Sequence, residues 1–248
     1  MRKIPFTILI LVLTTSAFGQ NESEWQLWSN IVVGSNITSQ LYVHADIRHR
    51  QNIGNNFWNN TGILIRAEYS FNKLLNASFE LLNNHTKQSS SISNYEFAQR
   101  LGIKVFILRN GVNIFKLKKG LEGFSPKTEL TNLTRFDHRI FNYPDVDITD
   151  YFWRLRNRTQ FKYALNRETL LENKLLTLFA DLELFFPLSN EPKERYLSKM
   201  RFRIGPEYRY SVRWRFRILY AFDHAGNGFS NNDNIESQML NLRIKYVF

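Results

Sequence analysis

The chain has 248 residues, a formal net charge of +11 at pH 7, 43% hydrophobic and 15% aromatic residues, and no cysteine. This balance excludes collagen-like, coiled-coil and disordered chains, whose compositional biases are far stronger. The lack of cysteine excludes disulfide scaffolds, thiolate metal sites and cysteine nucleophiles. No run of eighteen apolar residues occurs, so no helical membrane span is expected.

In chain order, the first element is an export signal. Arg2 and Lys3 form a basic start, Ile4 to Leu13 an apolar stretch, and Ala17-Phe18-Gly19 places small residues at the minus-three and minus-one positions of a cleavage site. About ten apolar residues are too few to cross a ~30 Å bilayer core as a helix. Residues 1–19 therefore read as a cleaved secretory signal peptide, with a basic, exported mature chain starting at Gln20.

From there the hydrophobic period is two rather than 3.6, which predicts strands. Eleven are expected, near 25–33, 40–50, 60–71, 74–87, 93–108, 129–141, 150–164, 174–186, 196–210, 213–224 and 236–248. Leu41, Val43, Ala45 and Ile47 alternate with Tyr42, His44, Asp46 and Arg48; Met200, Phe202 and Ile204 alternate with Arg201 and Arg203. Polar stretches such as 52–60, 88–94, 142–150, 187–195 and 226–234 carry loop chemistry, and tight turns are expected near Asn72 and Ser211. Residues 109–128 fit a short strand, a helix or a loop. No linker divides the mature chain, so residues 20–248 are read as one domain.

Strands of 10 to 15 residues exceed the usual soluble length of about 5 or 6 and suit a tilted membrane crossing. The fold class expected is all-β, a closed antiparallel transmembrane β-barrel of about twelve strands, ten being the other even count. Apolar rows would face lipid and charged rows a lumen. In that lumen Arg66 should oppose Glu80, and Glu207 should oppose Arg217, from the turns at 72–74 and 211–213. Joining the strands beside 165–174 sets Trp153 against Phe186, Leu155 against Leu184, Arg156 against Glu183 and Arg158 against Asp181, and leaves Asn157 and Thr159 facing lipid. Arg154, Arg201, Arg203 and Arg215 complete the expected lumen charge. It has two readings: a narrow anion-favouring pore or cavity, since Arg rings select anions, or a structural plug of paired Arg and carboxylates.

The last strand carries Leu240, Leu242, Ile244, Tyr246 and Phe248 at every second position. This resembles the C-terminal assembly signal of bacterial outer-membrane barrels, which implies outer-membrane lipids and the barrel assembly machinery as partners. Arg135-Phe136-Asp137-His138-Arg139, the stretch Arg154-Leu155-Arg156-Asn157-Arg158 and the aromatic C-terminal hairpins resemble an uncharacterised outer-membrane barrel family, domain of unknown function 2490. That resemblance implies the barrel and carries over no catalytic residue.

No cofactor or nucleotide motif is present, and none is expected. The basic residues alternate with apolar ones inside strands instead of forming an exposed groove, so nucleic acid is not an expected partner. None of His44, His49, His85, His138 and His224 is followed two positions on by Ser, so no catalytic residue is assigned, and no metal site is expected. The rival reading is an outer-membrane lipid-modifying hydrolase, of phospholipase or lipid A deacylase type, without a recognisable site.

Overall fold

Alternation of period two gives a strand one apolar and one charged face, and such a strand needs neighbours of the same kind on both edges. The computed structural model describes residues 24–54, 58–88, 93–109, 112–113, 126–190, 197–226 and 234–248; the expected signal peptide and Gln20 lie outside these. Its strands are β1 (Glu24–Asn36), β2 (Leu41–Asn52), β3 (Asn59–Ser70), β4 (Leu75–Lys87), β5 (Ser93–Arg109), β6 (Val112–Asn113), β7 (Thr128–Tyr143), β8 (Ile148–Ala164), β9 (Leu175–Pro187), β10 (Leu197–Arg209), β11 (Trp214–Gly226) and β12 (Asn234–Val247). All except β6 are 12 to 17 residues long.

Neighbours in sequence are neighbours in the wall, β5 passing directly to β7, and β1 pairs with β12 to close the barrel. The two residues of β6 pair only with Leu108 and Arg109, at the end of β5. Among the described residues the wall therefore has eleven strands, between the ten and twelve of the even-number expectation. Parity fixes the consequence. An odd number of strands with antiparallel neighbours leaves the first and last running the same way, and β1 and β12 are parallel, from Glu24 opposite Ser237 to Gly34 opposite Val247. The outer apolar ladder continues across this seam, where Leu27 meets Leu240, Ile31 meets Ile244 and Val33 meets Tyr246, with Ser29 opposite Leu242 as its polar gap.

Turn chemistry sets the register of the hairpins. The Asn72 side-chain oxygen accepts from the amides of Leu74 and Leu75 at 2.8 and 2.9 Å, which places Arg66 opposite Glu80 and Ala67 opposite Phe79. Ser211 Oγ accepts from the amides of Arg213 and Trp214, each at 3.2 Å, and Phe202 meets Phe222 while Glu207 meets Arg217. The β8–β9 hairpin departs from expectation by two residues: Leu155 meets Phe186, Asn157 meets Leu184 and Arg158 meets Glu183. Asn166 is the cause, its side-chain oxygen accepting from the Leu176 amide at 2.7 Å and its amide donating to the Lys174 carbonyl at 3.0 Å. Beside this connection the half-buried Lys127 donates to Glu168 at 2.9 Å, a bond that holds its ammonium above the ordinary lysine range. The polar stretch 142–150 is mostly strand, β7 and β8 being joined by a turn in which Val146 N donates to Tyr143 O at 3.2 Å.

The apolar rows point outwards. Ile31, Ile47, Ile65, Leu101, Ile103 and Ile218 are each at least 50% exposed, whereas Glu80 and Asp137 are 0% exposed, so the interior is polar and the exterior greasy. A polar island interrupts the outer wall where Asn157 and Thr159 of β8 meet Asn132 and Thr134 of β7. Asn132 Nδ2 donates to Asn157 Oδ1 at 3.0 Å and to Thr159 Oγ1 at 3.1 Å, and Asn157 Nδ2 donates back to Asn132 Oδ1 at 3.1 Å and to Thr134 Oγ1 at 3.0 Å. These amides satisfy one another without leaving the apolar wall.

Candidate functional site in the barrel lumen

The inward rows of every wall strand converge on one cavity of about 640 Å³. Its lining holds nineteen Lys or Arg side chains against eight Asp or Glu. Charges this deep persist only when paired and hydrogen-bonded, so the acids organise the cations around them.

Three acids form the central knot. Glu80 takes both carboxylate oxygens to Arg135 Nη1 at 3.0 Å, is bound by Arg66 across β3 and β4, and lies 3.7 Å from Arg100. Asp137 accepts from Arg135 Nε at 3.0 Å, Arg154 Nη2 at 2.9 Å and Arg156 Nη1 at 3.3 Å. Glu183 accepts from Arg156 Nη2 at 2.5 Å and lies 3.7 Å from Arg203. Around the knot, Asp181 receives Arg203 through two bonds of 2.8 and 2.9 Å, a fork-to-fork geometry that only guanidinium offers. Arg139 donates to Glu96 at 2.6 Å, Arg201 to Asp223 at 2.7 Å and Arg217 Nε to Glu207 at 2.6 Å. Flat faces of the guanidiniums lie on rings: Arg156 is 4.7 Å from the Phe185 centroid, Arg201 4.7 Å from Trp28 and Arg217 4.3 Å from Phe179.

The sequence-derived lumen residues divide accordingly. Arg66, Glu80, Arg154, Arg156, Glu183, Asp181, Arg203, Arg201, Glu207 and Arg217 all enter ion pairs. The expected Arg156–Glu183 pair forms diagonally across the strands, since Arg156 is opposite Phe185. The expected Arg158–Asp181 pair does not form. The two-residue slip of β9 moves Arg158 opposite Glu183, and Asp181 turns to Arg203 on β10. Arg158 and Arg215 line the cavity, and neither enters an ion pair with the described residues. Leu240, Leu242, Ile244 and Phe248 are exposed on the outer face of β12, and Tyr246 packs there against Trp214 at 4.7 Å and Phe248 at 4.9 Å between centroids.

Several lumen residues escaped the sequence reading, notably Arg135, Asp137 and Arg139, although the alternation inside Arg-Phe-Asp-His-Arg announced them: its first, third and fifth side chains face in, while Phe136 and His138 pack outside on Trp153. Glu96, Arg100, Asp223, Arg243 and Lys245 were also missed as network members. On the outer wall, His49 Nδ1 lies 2.7 Å from Thr61 Oγ1 and its Nε2 3.4 Å from Gln51 Oε1, a cross-strand grouping that no sequential His-x-Ser search detects. Among the described residues no three His, Asp or Glu side chains gather in a way that would hold a metal ion.

The family model described as "Protein of unknown function (DUF2490)" matches residues 25–234. No curated protein matches the chain. Among solved structures, a NanC porin in a rhombohedral crystal form is similar at 10% identity and a TM-score of 0.45, with 89% of this chain and 98% of that chain covered.

Proposed function

We propose that this chain, which belongs to the DUF2490 family of proteins of unknown function, is an integral outer-membrane β-barrel whose lumen favours small anions. A belt of Ile, Leu and Phe on every strand is stable only against hydrocarbon, and the period-two pattern that makes it also turns the arginines inwards. The single observation that carries anion preference is the cavity lining, nineteen cationic side chains against eight acidic ones. Positive rings lower the cost of an anion in a narrow, weakly screened passage and raise that of a cation. The lipids would be those of the outer membrane, and the exposed row Leu240 to Phe248 would be the face offered to the assembly machinery.

The test is a planar bilayer holding the refolded protein across a KCl gradient. The expected reversal potential lies on the chloride side, and Arg158→Glu moves it towards potassium. Arg158 suits this better than Arg156, which holds both Asp137 and Glu183. A bilayer that stays sealed at every voltage leaves only a structural barrel.

A second reading, a lipid hydrolase, is favoured by the His49–Thr61–Gln51 grouping on the outer wall. There His49 would take the Thr61 proton as the hydroxyl attacks a lipid ester carbonyl, return it to the departing alkoxide, and then help water release the fatty acid. The Gln51 contact is long for an orienting bond, which places this reading second. Fatty acid release by the same preparation, abolished in His49→Ala, would reverse the order.

A further inference from the structure

The lumen cations are not evenly neutralised, and an imbalance lies where β11 and β12 approach the 211–213 turn. Two successive inward rungs there are like-charged. Arg215 stands directly opposite Lys245, and Arg217 directly opposite Arg243. Cross-strand like charges repel, and Cα atoms on paired strands are only about 4.5–5.5 Å apart. The acids at hand serve one rung. Glu207 holds Arg217 at 2.6 Å, and Asp46 lies 3.7 Å from Arg243. Neither Arg215 nor Lys245 enters an ion pair with the described residues.

Arg209 of β10 stands opposite Arg215 on its other side, and neutral groups lie beside Lys245. The Lys245 ammonium sits 4.6 Å from the centre of the Tyr42 ring. Tyr42 Oη, His44 Nδ1, Arg215 Nε and Arg243 Nε are buried without a hydrogen-bond partner among the described residues, and His44 is only 7% exposed. The ring of Tyr42 lies against Gly34 of β1, where a Cβ would fall 2.7 Å from Tyr42 Cζ and 2.7 Å from His44 Cβ. A glycine thus leaves room for a tyrosine whose hydroxyl has no partner among the described residues, beside two cations that enter no ion pair with them. Unsatisfied buried donors are costly, and one ligand with several acceptor oxygens relieves several of them together.

We propose that Tyr42, Arg215, Arg243 and Lys245 form a binding site for a doubly charged oxyanion, of which inorganic phosphate is the simplest. Phosphate has the charge to neutralise both unpaired cations and enough oxygens to accept from guanidinium, ammonium and phenol at once. The site rests on the anion-favouring lumen proposed above and narrows it from preference to recognition.

The experiment uses the full mature barrel refolded in an uncharged detergent. Inorganic phosphate is titrated calorimetrically, and its effect on the thermal midpoint is compared with that of nitrate at equal ionic strength. Phosphate is expected to bind saturably and raise the midpoint, and nitrate to do neither. Arg215→Gln with Lys245→Gln should weaken binding at least tenfold and remove the midpoint rise while keeping heat-modifiable migration. Removing two exposed charges, at Lys73 and Lys87, should change neither. No midpoint rise in the unmodified protein overturns the site whether or not the double variant folds, as does binding that survives the double substitution. Chloride-selective conductance without phosphate binding overturns the site and leaves the barrel's proposed function. Phosphate binding in a sealed bilayer overturns the pore and leaves the site.

Discussion

Asp137 bears more of the interior than any single arginine does. Its carboxylate, fully buried, is shared by Arg135, Arg154 and Arg156 at 2.9–3.3 Å. Two of the three guanidiniums also reach a second acid, Arg135 reaching Glu80 and Arg156 reaching Glu183, whereas Arg154 pairs with Asp137 alone among the described residues, so this one carboxylate ties the knot together. Asp137→Asn keeps the volume and some hydrogen bonding but leaves three buried cations short of one charge. Breaking a buried pair from one side costs about 3–5 kcal/mol, and Asp137→Asn is expected to lose that much in urea unfolding from detergent micelles. A loss below about 1 kcal/mol would show that water screens the knot, in the way exposed ion pairs are screened.

At the scale of the strand, a slip of two residues is invisible to hydrophobic pattern, since it returns every side chain to the same face. That is why the faces of β8 and β9 were legible in the sequence and their register was not. Pattern demands that Leu155 meet an apolar residue, and both Leu184 and Phe186 qualify. Asn166, bonded to Leu176 and Lys174, decides for Phe186. The same limit applies to the site. Inward placement of Arg154, Arg156, Arg201 and Arg203 followed from alternation, but their acids depend on which strand lies next and at what offset, so Arg203 found Asp181 and Arg158 did not. Arg243 and Lys245 could be placed inside, yet their company includes Tyr42 and Asp46, some 200 residues away in the chain. The absence of native cysteine gives a clean test of register. Leu155→Cys with Phe186→Cys is expected to oxidise to a disulfide in the folded barrel. Leu155→Cys with Leu184→Cys should stay reduced, because a two-residue offset carries the Cα atoms past the ~7 Å that a disulfide spans. The opposite result would restore the register suggested by the bare hairpin count.

For the molecule as a whole, the odd strand number has a consequence no single hairpin reveals. With ten antiparallel pairings between them, β1 and β12 must run in the same direction, so Glu24 and Phe248 lie at opposite ends of the barrel. Even-stranded walls, the bacterial norm, bring first and last strands together antiparallel and their ends to the same side. The seam is held by a full parallel ladder and by the Phe248 amide donating to the Gly34 carbonyl at 2.9 Å. Parallel and antiparallel closure differ in which residues meet on either side of a fixed point. If Ile31 is opposite Ile244 in both, parallel closure brings Leu27 to Leu240, whereas antiparallel closure brings Leu27 to Phe248. A Leu27→Cys, Leu240→Cys chain should therefore crosslink on oxidation within the monomer, while Leu27→Cys, Phe248→Cys should not. Reversal of that pair of outcomes would mean that a twelfth strand completes the wall, with the charged rungs of β12 facing partners other than those on β1 and β2.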